Sequence, residues 1–344
     1  MHVKLISDLD YPVWDNYVQK HPTAKFFHRI AWLKVVRDSY GHTPLYLMAM
    51  NGDVVSGVLP LFLVSTPLFG RVLASDVFAS YGGICADSEE IEKALMSEAA
   101  KLAGLHRVSY LEIKNSKIIN GLGSEWHTKT DYCTLILDLA PGPEGIWKAW
   151  KQKARYNVRQ AEKAGIEIEH GSHLLDSLYE NNAISMRRLG TPVHSKAFYK
   201  NMIQQCPDDV TLFVANVSGK CIGAAITVGF KDQIQLFLCA SDSNYWHLKP
   251  NEFMYWKIIQ YAHGKGYKYL DYGRSKWSSG TFNFKKHMGA DPVPLYYQYT
   301  LTRARSVPDV SPDNPKYQLA IRCWQHLPLG ITKILGPHLI KYVV

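Results

Sequence analysis

Apolar positions recur at helical spacing through residues 11–40, first at Trp14, Tyr17 and Val18, then at Ile30, Leu33 and Val36, with Gly41 as a stop. The pattern predicts a helix. Beyond it the period changes. Residues 45–50 and 54–63 read as strands joined by Asn51-Gly52-Asp53, a strong hairpin signal. Residues 71–80 read as a further strand or two, ending at Tyr81-Gly82-Gly83, where paired glycines suit close backbone approach or positive φ. Asp87 or Ser88 then caps a helix through Ala103, Gly104 ends it, and residues 108–113 return as a strand.

The second half repeats this order. Leu45-Tyr46-Leu47-Met48-Ala49-Met50-Asn51-Gly52-Asp53 aligns without gaps on Leu212-Phe213-Val214-Ala215-Asn216-Val217-Ser218-Gly219-Lys220. Tyr110-Leu111-Glu112-Ile113 after Gly104 likewise matches Tyr269-Leu270-Asp271-Tyr272 after Gly264. One unit written twice is evidence about fold before it is evidence about function. Leu139-Ala140-Pro141-Gly142-Pro143 reads as the joint, which divides the chain into 1–140, 144–302 and a tail, 303–344.

Residues 146–165 then predict one basic helix carrying Lys148, Lys151, Lys153, Arg155, Arg159 and Lys163, with Glu162 its only acid after Lys148. Such a helix is either a solvated face or an anion-binding surface. Arg187-Arg188-Leu189-Gly190-Thr191-Pro192 similarly reads as two arginines delivered to a cleft, or as cations closing a helix C-terminus.

Composition narrows the class. The 344 residues are 47% hydrophobic and 20% charged, as in a folded chain of about two domains. A net charge of +9 points to anionic partners. The six cysteines form no Cys-x-x-Cys and no zinc-type spacing, which suggests a reducing compartment and no metal. With neither a signal-peptide core nor a long apolar run, the expected location is cytoplasmic.

The richest candidate chemistry lies between residues 267 and 299. A strand ends in Leu270-Asp271-Tyr272-Gly273-Arg274-Ser275, a Ser/Gly-rich polar loop follows with Phe282-Asn283-Phe284-Lys285-Lys286, and Leu295-Tyr296-Tyr297-Gln298-Tyr299 is the next strand. Cations in a loop at a strand end are a common ligand site. An Asp before Gly also serves as a plain turn former.

Taken with Ala79-Ser80-Tyr81-Gly82-Gly83, Lys153-Ala154-Arg155-Tyr156-Asn157-Val158-Arg159-Gln160-Ala161 and Leu189-Gly190-Thr191-Pro192, these stretches resemble the FemAB family, nearest to its PEP-CTERM/exosortase-associated members. The resemblance implies an α/β (α+β) chain of two tandem GNAT-like domains with a C-terminal helical extension. It implies an enzyme that moves an aminoacyl or acyl group onto an amine of an anionic cell-envelope precursor, of peptidoglycan or exopolysaccharide. It places Phe284 and Lys285 at the reacting centre, to which the chemistry of amide formation adds Asp271 as a proton acceptor. Tyr81, Arg155, Tyr156, Arg159, Arg274, Ser275 and Lys286 would bind substrate, in a cleft between the halves.

No tightly bound cofactor is expected, only a carrier-bound donor: aminoacyl-tRNA, acyl-CoA or an acyl carrier protein. The chain lacks the long charged helical hairpin that some members insert in the second half, which argues against tRNA contact of that type. Yet residues 242–251, where acetyl-CoA-dependent relatives of the fold carry a Gly-rich pyrophosphate turn, contain no glycine, which ranks acetyl-CoA below another carrier. The runner-up is an acyl-CoA or acyl-carrier-protein dependent N-acyltransferase acting on an exopolysaccharide amino sugar. The alternative outside enzymology is a non-catalytic binder of anionic ligands. In the tail, apolar residues interleaved with Lys316, Arg322, Lys333 and Lys341 read as a helix docked on its own domain, or as peripheral contact with the inner face of the membrane.

Overall fold

The computed structural model describes residues 1–67, 70–308 and 314–343. They form two compact units. Residues 309–313 of the expected linker at 306–315 lie outside the described residues.

The first unit opens with β1 (His2–Leu5), α1 (Tyr11–Lys20) and α2 (Ile30–Tyr40). The single helix expected over 11–40 is therefore two. His21 is extended ahead of Pro22, which lacks the N–H that would continue α1. Next come β2 (Thr43–Pro44), β3 (Leu47–Asn51), β4 (Val54–Leu59), β5 (Leu61–Thr66), β6 (Gly70–Ser75) and β7 (Cys85–Ala86). Pro60 divides the expected second strand of the hairpin into β4 and β5, which join different sheets. Then follow α3 (Glu89–Leu105), capped by Ser88, β8 (Tyr110–Asn115) and β9 (Trp126–Lys129).

The second unit contains β10 (Tyr132–Asp138), α4 (Gly142–Ala149), α5 (Gln152–Lys163), β11 (Glu167–His170), α6 (Leu175–Leu189), α7 (Lys196–Gln205), β12 (Val210–Val217), β13 (Lys220–Phe230) and β14 (Gln233–Ser241). It continues with α8 (Pro250–Gly264), β15 (Tyr269–Asp271), β16 (Ser275–Lys276), α9 (Gly280–His287) and β17 (Asp291–Pro294). After β18 (Tyr296–Leu301), α10 (Pro315–His326) and α11 (Leu329–Ile340) close the chain. The expected helix over 146–165 is again two, because Trp150 and Lys151 are extended. Burial of the Trp150 ring, whose Nε1 donates to the Met288 carbonyl at 3.0 Å, overrides local helix propensity.

Each unit carries a parallel strand pair bridged by a helix. In the first, β6 and β8 are parallel across α3, within a sheet of order β2-β5-β6-β8-β18-β9. A second sheet, β1-β3-β4-β7, completes that unit, and Leu61, Leu73, Leu95, Leu102 and Leu111 are among its core. In the second unit β14 and β15 are parallel across α8, in the order β11-β12-β13-β14-β15-β10-β16, with β17 on β10. Its core gathers Trp150, Phe213, Ile234, Phe253, Ile258 and Leu270. The repeated hairpins both have two-residue turns, closed by Asn51 with Val54 and by Val217 with Lys220.

The units exchange strands relative to the expected boundaries. β10 pairs antiparallel with β15, Ile136 opposite Asp271, so the chain enters the second unit at Cys133 and the Pro-Gly stretch is an internal turn. β18 returns to the first unit beside β8 and β9.

Candidate active site

β14 continues to Ser241, but its pairing with β15 stops at Gln235 opposite Asp271. Residues 236–241 therefore run on without β15 beside them, and Phe237, Leu238 and Cys239 are only half-buried in mid-sheet. The helix α9, whose Lys285 interacts electrostatically with Cys239 of β14, is started by Ser279, whose hydroxyl accepts from the Phe282 N–H at 3.2 Å. The segment expected as polar loop is thus partly helix. That helix delivers Lys285.

Lys285 is buried, and its Nζ donates to the carbonyls of Gly273 at 2.8 Å and Arg274 at 3.0 Å. Burial pushes its pKa down from 10.5 to about 8, opposed by the Asp271 carboxylate and more weakly by the Cys239 and Cys133 thiols. Those three partners belong to β15, β14 and β10, so the cation stands where the strands diverge. Gly273 allows the approach: it has φ +76°, and a Cβ there would lie 3.0 Å from the Leu236 carbonyl oxygen.

Asp271 is fully buried. Its carboxylate accepts from the Thr134 hydroxyl, from the Gly273 N–H at 2.7 Å and from the Gln233 amide at 3.3 Å. None of it is exposed, and its carboxylate is held by groups of its own unit. Ser275 is buried too, and its Oγ has no hydrogen-bond partner, a polar atom left for a ligand. Arg274 is exposed. Phe284 is half-buried, its ring edge-on to Tyr255 at 5.1 Å, and Tyr255 meets Tyr272 at 4.7 Å.

On another face of α9, Asn283, Lys286 and His287 join Trp150, Lys151 and Gly289 around an open cavity of about 370 Å³. The remaining expected binders are placed differently. Arg155 donates to the Trp147 and Lys148 carbonyls at 3.3 and 3.1 Å, closing the C-terminus of α4. Arg159 lies over the Trp147 ring at 5.7 Å, and Tyr156 is exposed. Tyr81 belongs to the first unit, where it is buried. Arg187 and Arg188 close α6 before Gly190 at φ +74°.

Tyr81 precedes a tightly built turn. Gly83 N donates to Asp76 at 2.5 Å and Ile84 N to Asn115 at 3.0 Å, while a Cβ on Gly83 would stand 2.2 Å from Asn115 Oδ1. Asp76 is buried, which pushes its carboxyl up to about 7. Sequence reasoning missed Thr134, Gln233 and Cys239. Thr134 had no signal, since its strand reads as part of the first half.

The loop between β14 and α8 is a 3-10 turn, Ser243–Leu248, in which Asp242 accepts from the Asn244 N–H at 3.0 Å. A buried acid holding the first amide does not make a phosphate cradle. Among the described residues no group of three or more His, Cys, Asp or Glu is placed to hold a metal ion.

Comparison with known proteins agrees with this architecture. Residues 149–286 match the family model described as Acetyltransferase (GNAT) domain. The structure of FemX is similar over 93% of this chain and 100% of its own, at 16% identity and a TM-score of 0.67. A tandem GNAT protein from the clavulanic acid biosynthesis pathway is similar over 89% and 100%, at 10% identity and 0.58. A conserved protein of unknown function from Bacteroides thetaiotaomicron VPI-5482 is similar over 87% and 99%, at 11% identity and 0.58. No curated protein matches. The fold is that of tandem GNAT proteins, and by its matched domain the chain is an acyltransferase.

Proposed function

We propose that the protein is a FemAB-type acyltransferase, moving an aminoacyl or acyl group from a carrier to an amine of a cell-envelope precursor. The observation that carries this reading is the buried Lys285 cation at the divergence of β14 and β15. Amide formation needs the acyl carbonyl held in place and a positive group facing the oxyanion of the tetrahedral intermediate. Lys285 supplies that charge. The amine attacks the carbonyl carbon, the carrier leaves from the collapsing intermediate, and the amine proton passes to solvent or to the leaving group.

Asp271 holds Lys285 charged, Ser275 Oγ and Arg274 receive polar groups of the substrates, and Phe284 flanks the acyl chain. For the donor, the acid-capped turn after β14 favours aminoacyl-tRNA or another carrier over acetyl-CoA. The match to an acetyltransferase model supports the second reading, an acyl-CoA or acyl-carrier-protein dependent N-acyltransferase of an exopolysaccharide amino sugar. Contact of the tail with the inner face of a membrane belongs to the same picture, since it would set the enzyme beside lipid-linked acceptors.

A thermal-shift panel with charged and uncharged tRNA, acetyl-CoA, long-chain acyl-CoA and a nucleotide-linked amino sugar tests the assignment, because a ligand of the native state raises its apparent stability. A shift with charged tRNA that is lost in Lys285→Met supports aminoacyl transfer. A shift confined to an acyl-CoA overturns the donor ranking. Binding of the amino sugar alone, with no donor and no turnover, overturns the enzyme reading.

A further inference from the structure

The last helix presents its apolar side the wrong way round for a helix that only docks. α11 turns Thr332, Gly336 and Ile340 inward, with Gly336 so close to Val193 that a Cβ would lie 2.9 Å from its backbone N and O. Its larger apolar residues face out: Ile331 is 42% exposed, Ile334 68%, Leu335 43% and Leu339 45%. These positions fall at i, i+3, i+4 and i+8, one continuous stripe.

Fraying does not explain the exposure, because the helix pair is fastened. Lys333 pairs with Glu180 of α6, Gln325 donates to the Arg188 carbonyl at 2.9 Å, and Arg187 donates to the Gln325 carbonyl at 3.3 Å. Charge then selects the partner. From Asn314 to Val344 the sequence has no Asp or Glu, while it carries Lys316, Arg322, Lys333 and Lys341. Lys316 and Arg322 are exposed. An apolar stripe within a purely cationic segment matches an anionic lipid surface, where apolar side chains enter the headgroup boundary and cations meet phosphate. Twelve residues make about 18 Å of helix, too short to span a bilayer.

We propose that α11 lies in the plane of an anionic membrane, inserting Ile331, Ile334, Leu335 and Leu339. The acyl-transfer reading gives this surface its purpose, a lipid-borne or membrane-proximal acceptor, but the binding is measured without turnover.

The test is co-sedimentation of the full chain with vesicles of phosphatidylcholine alone and of phosphatidylcholine mixed with phosphatidylglycerol. Binding is expected on the mixed vesicles only, weakened by salt. The double variant Ile334→Ser, Leu339→Ser should bind on the order of tenfold or more weakly, with an unchanged melting temperature. Lys285→Met should bind as the wild type does, so failure of the acyl-transfer reading leaves this result standing. No binding to the mixed vesicles overturns the proposal, as does equal binding by the double variant. A dimer in light scattering that the double variant converts to monomer would assign the stripe to a second copy of the chain and overturn it as well.

Discussion

Replacing Lys285 by Met separates what the residue does for folding from what it does for chemistry. The fall of its pKa from 10.5 to about 8 is equivalent to roughly 3 kcal/mol by which the fold disfavours the charge at neutral pH. Against this stand two hydrogen bonds from the cation to the Gly273 and Arg274 carbonyls, worth about 1.5–3 kcal/mol each where the donor is charged. Methionine fills nearly the same volume, removes the disfavoured charge and loses both bonds. The effects largely offset, so stability should change by about 2 kcal/mol or less, a few degrees in Tm. Turnover, by contrast, should fall by about 10²–10³ if Lys285 faces the oxyanion. The assay is transfer of a labelled acyl group from the donor found by thermal shift, beside a calorimetric melt. The pH profile adds a sign check: a required cation loses activity as pH rises through about 8, whereas a required base gains it. Full turnover in the variant would refute the placement, and a collapse of Tm would make Lys285 structural.

Three further outcomes follow from the geometry. Ser279→Ala removes the cap of α9 and should cost about 1 kcal/mol while lowering kcat more than it raises KM; Ser279→Thr should restore both. Gly83→Ala puts a Cβ at φ +65° against Asn115, beyond the ordinary cost of about 1 kcal/mol for Ala in place of a positive-φ Gly, and chemical denaturation should show a loss of at least that size. Asp76→Asn concerns pH: the folded pKa is raised to about 7, so the stability this carboxyl contributes is fully present at low pH and is lost as pH rises toward and through 7. The Asn variant, which still accepts from Gly83 N, should melt higher than wild type at pH 8 and show a flatter profile; parallel profiles would refute the assignment.

Much of the fold was legible because burial enforces periodicity. The Leu45 and Leu212 hairpins and the Tyr110–Glu112 and Tyr269–Asp271 segments align in sequence since each pair takes the same part in its unit, an antiparallel hairpin and a strand parallel to its neighbour across a helix. What could not be read was non-local. β10 carries no mark that it pairs with β15 rather than with strands of the first half, so Thr134 stayed hidden from the environment of Asp271. The breaks at Pro22 and Pro60 were visible as residues, but what they divide depends on tertiary packing, as does the break at Trp150, fixed by a bond to Met288. Lys285 was found by resemblance, and its burial and partners required α9, whose short polar sequence has no clear period.

The repeat also bears on how the two units treat the acid that Glu112 and Asp271 place at the same position. In the first unit Glu112 occupies the place that Asp271 takes in the second, again beside a strand parallel across a helix. Its carboxylate accepts from the Tyr299 hydroxyl at 2.5 Å and has Lys114 Nζ at 4.0 Å, both groups from strands of its own sheet. Lys114 reaches that acid from two residues along the same strand and is itself buried. Lys285 instead arrives on a separate helix, inserted between β16 and β17, where the first unit has residues 116–125 between β8 and β9 with no helix among them. A lysine on the strand completes an internal polar network, satisfied within the sheet. Lys285, on a helix, instead bonds the Gly273 and Arg274 carbonyls just past the end of β15, beside the exposed Arg274 side chain and the Ser275 Oγ that has no hydrogen-bond partner. The acid at this shared position thus serves packing in one unit and, on the proposed reading, holds a cation for acyl transfer in the other, where that cation arrives on the inserted helix α9.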